Sequence, residues 1–301
     1  MKTMITQMEE KDFTPQTIKN YMERIYVLNG NKKWTSLVFL RDTETMLNLL
    51  KEKYAISSQK SMLGTIISVL GLKPIKANKK ASDIYLKYLT DDIMPSFNKV
   101  KGDKTEKQKE NWITREEIET LKKEYSEKAK EVVKGKVGRK DYDIMLENMI
   151  LSMYVNMPPR RAKDYVLMKL EDDEKEEDKK YNYYDGTQFI LNQYKTEKQY
   201  GQEKVQVPKV VKNDIAMYLD KTESLDKEFL ITNYGGKPFN IINDMTRRLN
   251  KIFGKKISVD MLRNMYYSHK YGDIKTDIIQ DAKDMGTSLN TAMNTYTKQN
   301  K

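Results

Sequence analysis

Two consecutive prolines, Pro158 and Pro159, limit what this chain can build more than any other pair of residues. They follow a long apolar stretch with helical spacing, and proline can neither donate the next helical hydrogen bond nor let its predecessor stay helical. The chain must therefore break within Asn156-Met-Pro-Pro-Arg-Arg-Ala-Lys-Asp-Tyr165. Arg160 and Arg161 become the first residues of whatever follows. A guanidinium held where a new helix starts can fork onto a phosphate. A solvated turn carries arginine pairs as well, so their meaning depends on partners elsewhere in the chain.

Charge narrows the choice of partner. Among 301 residues, 55 Lys and Arg stand against 44 Asp and Glu, a net charge of +11. Seven of the acids sit in one octet, Glu171–Asp178, and the rest of the chain balances 54 basic against 37 acidic residues, +17. A chain basic over nearly its whole length faces a polyanion: nucleic acid first, an anionic membrane surface second. There is no cysteine and a single histidine, His269. Disulfides, thiolate metal sites and multi-histidine zinc sites are excluded, and a Ser-His-Asp triad would have to use His269. Any catalysis must use Arg, Lys, Asp, Glu, Tyr, Ser or Thr. No apolar run approaches the ~20 residues that span a bilayer, and MKTMITQMEEKDF has no signal-peptide core. An intracellular protein is expected.

Read in order, the first 97 residues form four short helices. Thr14-Pro15 opens one, with Ile18, Tyr21, Met22, Ile25 and Leu28 inward and Gly30 ending it. The second covers about 37–53, with Leu40, Met46, Leu47 and Leu50 inward. The third starts from a Ser57 or Ser58 cap and buries Met62, Leu63, Ile66, Ile67 and Leu70 before Gly71. The fourth covers about 79–92, with Ile84, Tyr85 and Tyr88 inward, and stops near Pro95. Residues 98–111 are dense in charge and read as a linker. Thr114-Arg-Glu-Glu117 has capping-box spacing. Tyr142, Met145, Met149, Ile150 and Met153 then mark a core helix, its methionines being core filler. After the acidic octet, Tyr181–Tyr184, Asp185-Gly186 and Thr187–Tyr194 read as strand, turn and strand, and 205–207 as a third strand. Helices follow at about 209–220 and 240–253, with a turn at Asn233–Gly236 between them. Ser258 caps another over Val259–Tyr271, and two short stretches, about 274–284 and 288–297, close the chain. The fold class is mainly α with a small antiparallel sheet (α+β).

Against a DNA phosphodiester, a metal-free transfer needs cations on the non-bridging oxygens, an acid for the leaving 5′ oxygen and a nucleophile that keeps the bond energy. Arg161, Lys195, Arg263 and Tyr296 supply that set. Pro158-Pro-Arg-Arg161 with Asp164 resembles the first arginine box of the tyrosine recombinase (phage integrase) family. Lys195-Thr196 resembles its hairpin lysine, and Asp260-Met-Leu-Arg263 its second box. Met285-Gly-Thr-Ser288 resembles its Leu-Gly-His-Ser stretch, with Tyr296 nine residues past Thr287, where the family's nucleophile falls. The likeness covers about 112–301. The Pro-Pro variant, Asn192–Thr196 and Tyr200-Gly201 look most like recombinases of large DNA viruses and related eukaryotic mobile elements.

The resemblance implies a SAM-like helical core-binding domain over 1–97, a linker over 98–111 and a catalytic domain over 112–301. It implies strand cleavage and rejoining through a 3′-phosphotyrosyl link at Tyr296, without metal, ATP or other cofactor. Its partners would be double-stranded DNA and further copies of the chain, with no membrane. The place of action would be a host nucleus or viral replication compartment. Arg161 and Arg263 would hold the phosphate, Lys195 would protonate the leaving oxygen, and Asp164 would support them. Arg160, Lys198 and His269 would touch DNA. The family usually has histidine where this chain has Asp260, and histidine or tryptophan where it has Thr287. Asp260 can accept the tyrosine's proton or simply pair with Arg263; Thr287 can donate to a phosphate oxygen or cap the last helix. Tyr266 and Tyr267, in mid-helix, read as core. Two other readings stay open: a type IB topoisomerase, and a catalytically inactive DNA-binding relative.

Overall fold

A computed structural model describes residues 2–73, 76–99, 102–135, 137–170, 179–223, 225 and 227–297. The acidic octet lies outside them. The chain forms two compact units, Met1–Asp103 and Lys104–Lys301. No helix among the described residues is long and apolar enough to cross a membrane.

The first unit is all helical: α1 (Lys2–Glu10), α2 (Pro15–Leu28), α3 (Thr43–Lys53), α4 (Ile56–Leu72), α5 (Lys76–Tyr88) and α6 (Met94–Lys99). Its core holds Met8, Ile25, Leu40, Leu50, Leu63, Ile66 and Tyr85. Several sequence expectations need correcting here. The polar N-terminal stretch forms α1, buried through Met4 and Met8. The second expected helix divides into a 3-10 turn, Val38–Arg41, and α3, because the Asp42 carboxylate accepts from Thr45 N and starts a new helix. Helix α4 begins at Ile56 without a serine cap and runs past Gly71. Ile84 is exposed rather than inward. Pro95 does not stop the chain's helical course. A π turn over Leu89–Ile93 precedes it, so the proline falls at the second residue of α6, where its missing N–H is not needed.

The second unit is built round α9 (Arg139–Val155), which buries residues on every face, including Tyr142, Met145, Met149, Ile150 and Met153. A helix apolar all round belongs in the middle of a fold. Helix α7 (Glu106–Asn111) occupies part of the stretch read as linker, opened by a Thr105–Gln108 capping box. The Thr114–Glu117 capping box opens α8 (Arg115–Glu131). After the Pro-Pro break come α10 (Ala162–Tyr165), β1 (Met168–Leu170), β2 (Asn182–Tyr184), β3 (Gln188–Leu191), α11 (Glu197–Tyr200) and β4 (Glu203–Gln206). The sheet therefore has four strands in the order β1-β2-β3-β4, not three. It is mixed rather than antiparallel, because β1 pairs with β2 in parallel. Helices α12 (Lys209–Lys221), α13 (Ile242–Phe253), α14 (Val259–Asp284) and α15 (Leu289–Thr291) complete the unit, with a π turn over Ala292–Tyr296. The two helices expected at 259–271 and 274–284 are one, since Gly272 sits within α14 and costs a helix only about 1 kcal/mol.

Lys227 is half-buried in this unit, its Nζ bonded to the Thr222 hydroxyl and lying 4.1 Å from the Tyr218 ring centre. Burial pulls its pKa down to about 8. The folded state then binds fewer protons than the unfolded chain between about pH 8 and the ordinary lysine value. Stability attributable to this group rises with pH across that window, the penalty being complete below it. Lys227→Met is expected to raise stability at pH 7 by on the order of 1 kcal/mol, part of the burial cost being offset by the ring contact. In denaturant melts the gain should shrink at pH 9.5. An unchanged gain would mean that packing, not charge, set it.

Candidate active site

The break after Pro159 leaves Arg161 in extended backbone, as the residue that precedes α10. Its neighbour Arg160 is fully engaged. Arg160 Nε donates to Asp164 Oδ2 at 2.9 Å, and Nη1 and Nη2 donate to the two carboxylate oxygens of Glu203 at 2.9 and 2.8 Å. The guanidinium also lies 5.9 Å from the Tyr194 ring centre. Burial works against its charge, and the Glu203 and Asp164 carboxylates more than reverse that. The Arg160 fork, expected on DNA, is thus occupied within the protein. Asp164 is buried, and its Oδ1 has no hydrogen-bond partner among the described residues. Burial lifts its pKa, with Arg160 and then Arg161 opposing the rise.

Asn182, buried at the start of β2, ties α10 to the loop after β3. Its Oδ1 accepts from Asn192 N and Gln193 N at 2.8 and 2.7 Å. Its Nδ2 donates to Asp164 O and Gln193 O at 2.9 and 3.0 Å. Tyr194 closes the same loop by donating its hydroxyl to Gly201 O at 2.8 Å. Lys195 follows Tyr194 and is exposed, as is Lys198 in α11. Among the described residues Arg161, Lys195 and Lys198 form no ion pair within 4.0 Å. Arg161 and Lys195 therefore flank the Arg160–Tyr194 contact as two cations with no direct ion pair among the described residues.

Ser258 caps α14 through Met261 N. Met261, Leu262 and Met265 face the core, and Arg263 is 30% exposed. Its Nη1 reaches Asp260 Oδ1 only at 3.5 Å, and Asp260 is 85% exposed, so the pair holds the arginine weakly. Leu262, Tyr266 and His269 of α14 share a groove with Tyr154 and Asn156, the residues that lead into the Pro-Pro break. His269, expected on DNA, sits edge-on to Trp112 with ring centres 6.0 Å apart, and burial lowers its pKa. Tyr267 is 61% exposed, so its expected place in the core is wrong; Tyr266 is only partly covered.

Past α14 the chain reverses at Gly286, whose φ of +65° suits glycine. Thr287 N donates to Ala282 O and Gly286 N to Lys283 O, closing the helix end. Ser288, not Thr287, caps the final helical stretch, which frees the Thr287 hydroxyl from that duty. Tyr296 is 58% exposed. The continuous α14 puts roughly 30 Å of helix between Arg263 and Asp284, and Tyr296 lies beyond the turn at its end.

The arrangement thus has one tight neighbourhood, Arg161 with Asp164 and the Lys195 loop, one arginine on α14, and one accessible phenol beyond the end of that helix. Sequence reasoning missed Asn182, Tyr194 and Glu203. An amide inside the aromatic run Tyr181–Tyr184 was the one available signal, since a polar side chain in a buried strand needs partners.

No protein-family model and no curated protein sequence matches the chain. Among solved structures, it is similar to the crystal structure of the XerA recombinase at 18% identity, over 99% of this chain and 92% of that one, with a TM-score of 0.31. At that score the likeness carries no weight for fold or chemistry.

Proposed function

We propose that this protein is a tyrosine-type DNA strand transferase, a site-specific recombinase or integrase of the kind found in large DNA viruses and related mobile elements. The observation that carries the reading is the contrast between adjacent arginines. Arg160 is bound on both edges by carboxylates, whereas Arg161 beside it, and Lys195 across the Tyr194 contact, form no ion pair within 4.0 Å among the described residues. Cations that leave their donors free of a close carboxylate among the described residues suit a phosphodiester.

In this reading Arg161 and Arg263 bind the non-bridging oxygens, where planar forks do what lysine cannot. Thr287 donates to the same phosphate. The Tyr296 oxygen attacks phosphorus, its proton passing to Asp260. The bond from phosphorus to the 5′ oxygen breaks, and Lys195 Nζ protonates that oxygen. Reversal by a new 5′-hydroxyl rejoins the strand. Lys198 touches the DNA backbone. Tyr296 reaches the phosphate of its own protomer's site, or a second copy on the same DNA lends its own. Both fit an enzyme that self-associates on DNA where genomes are handled, in a host nucleus or viral replication compartment.

The test is capture on a nicked suicide substrate. Wild type should become covalently attached, and Tyr296→Phe should abolish attachment; an adduct that survives in Tyr296→Phe refutes the assignment. Mixing Tyr296→Phe with Arg161→Ala protein restores attachment only if the tyrosine acts on a partner's site. Asp260 and Thr287, standing where the family usually has histidine, favour a second reading, a DNA-binding relative without strand-transfer activity. Tight DNA binding with no adduct on any substrate would select it.

A further inference from the structure

Resting on that reading, we propose that Glu203 is a positioning residue for Lys195. The pair Arg160–Glu203 joins two segments that are 43 residues apart, the Pro-Pro-Arg-Arg turn and the first residue of β4. Both bonds run from one guanidinium edge to one carboxylate, a geometry with a single relative orientation. Glu203 pairs with Leu191 in the β3–β4 register. The loop 192–202 that carries Lys195 therefore starts and ends at that rung.

The loop's far side is fixed by Asn182, which holds Asn192 and Gln193. Its near side is fixed by Glu203 through Arg160, with the Tyr194 ring beneath the same guanidinium. Arg160 and Arg161 are consecutive, so whatever orients Arg160 relative to β4 also sets the separation between Arg161 and Lys195. Glu203 has no position from which it need touch DNA to do this. Its effect runs through the placement of an acid relative to the phosphate that Arg161 binds.

General-acid placement can be separated from overall integrity by changing the leaving group. In a DNA strand whose scissile 5′ oxygen is replaced by sulfur, the phosphorus–sulfur bond breaks to release a thiolate that requires no proton, so a misplaced acid is not felt. Lys195→Ala should slow cleavage of the ordinary strand by about 10²- to 10⁴-fold and of the sulfur-bridged strand far less. Glu203→Gln should show the same signature at lower amplitude, about 10- to 100-fold slower on oxygen and near wild type on sulfur. Arg160→Lys, which keeps the charge and loses the fork, should match it. The double variant should be no slower than the worse single one. Amide hydrogen exchange over residues 194–202 should quicken in Glu203→Gln without a change elsewhere in the sheet.

Equal slowing on both strands would make Glu203 merely structural, and no slowing on either would remove its role; each overturns the inference while leaving the recombinase reading intact. Wild type that forms no adduct on either strand overturns the recombinase reading and this inference with it.

Discussion

Alanine at Asp214 is expected to destabilise the Lys104–Lys301 unit by about 3–5 kcal/mol, the cost of leaving a buried charge without its partner. Asp214 projects from α12 into the space between α8 and α9 and is buried. Lys122 Nζ lies 3.0 Å from its Oδ2, and the Ser152 hydroxyl donates to the same oxygen. Asn148 Nδ2 donates to Oδ1 at 3.0 Å, while Lys122 also donates to Asn148 Oδ1 at 2.7 Å. Removing the carboxylate strands an ammonium that is only 13% exposed and leaves two buried donors unmade. The measurement is the denaturant midpoint of Asp214→Ala against wild type. Asp214→Leu combined with Lys122→Met should recover much of the loss, because it removes both charges together. A loss under 1 kcal/mol would mean that water already reaches Lys122 freely.

Alkali is expected to unfold the same unit cooperatively between about pH 10 and 12. Tyr154, Tyr165 and Tyr218 lie in its core, and burial is the leading cause that raises each phenol above its ordinary value. Among the described residues the buried Tyr154 and Tyr165 hydroxyl oxygens have no side-chain partner, and Tyr218 meets the Tyr142 hydroxyl. Folded, these groups keep their protons while the unfolded chain loses them above about pH 10. The stability they leave intact below pH 10 is therefore lost above it, by about 1.4 kcal/mol per group per pH unit. Three groups remove about 4 kcal/mol per unit, against a typical total of 5–15 kcal/mol. Helical circular dichroism and tyrosinate absorbance should change together in one steep step. Tyr165→Phe should move that step upward, since it deletes a group that drives it. Independent titration of every phenol near pH 10 with no loss of helix would contradict the account.

Features set by neighbouring residues could be read directly from the chain. The Thr14-Pro15 start, the Thr114–Glu117 box, the Ser258 cap and the Pro-Pro break all appear where the residues put them, because each depends on three or four consecutive positions. Strand β1 could not be read, since three residues acquire strand geometry only by pairing with Asn182–Tyr184 across the acidic octet. The continuity of α14 was obscured by Gly272, which looks like a stop locally. The candidate residues proposed for catalysis, from Arg161 to Tyr296, could be picked out as residue types in a recognisable order. Their surroundings were not: nothing near Arg160 announces that its partner is Glu203, and the number of helical turns between Arg263 and the turn before Tyr296 depends on how far one helix runs.

Asn182 has a consequence for tracing this protein's lineage. It fills two acceptor and two donor roles at one buried point, and no other short side chain can do both. Aspartate would turn two donors into acceptors facing the carbonyls of Asp164 and Gln193, and an aliphatic residue would abandon all four bonds. Drift at this position should therefore be slow even where the surrounding aromatic run changes freely. An asparagine about eighteen residues past the acid of the arginine turn is a marker by which distant cousins can be picked out when their catalytic boxes have blurred.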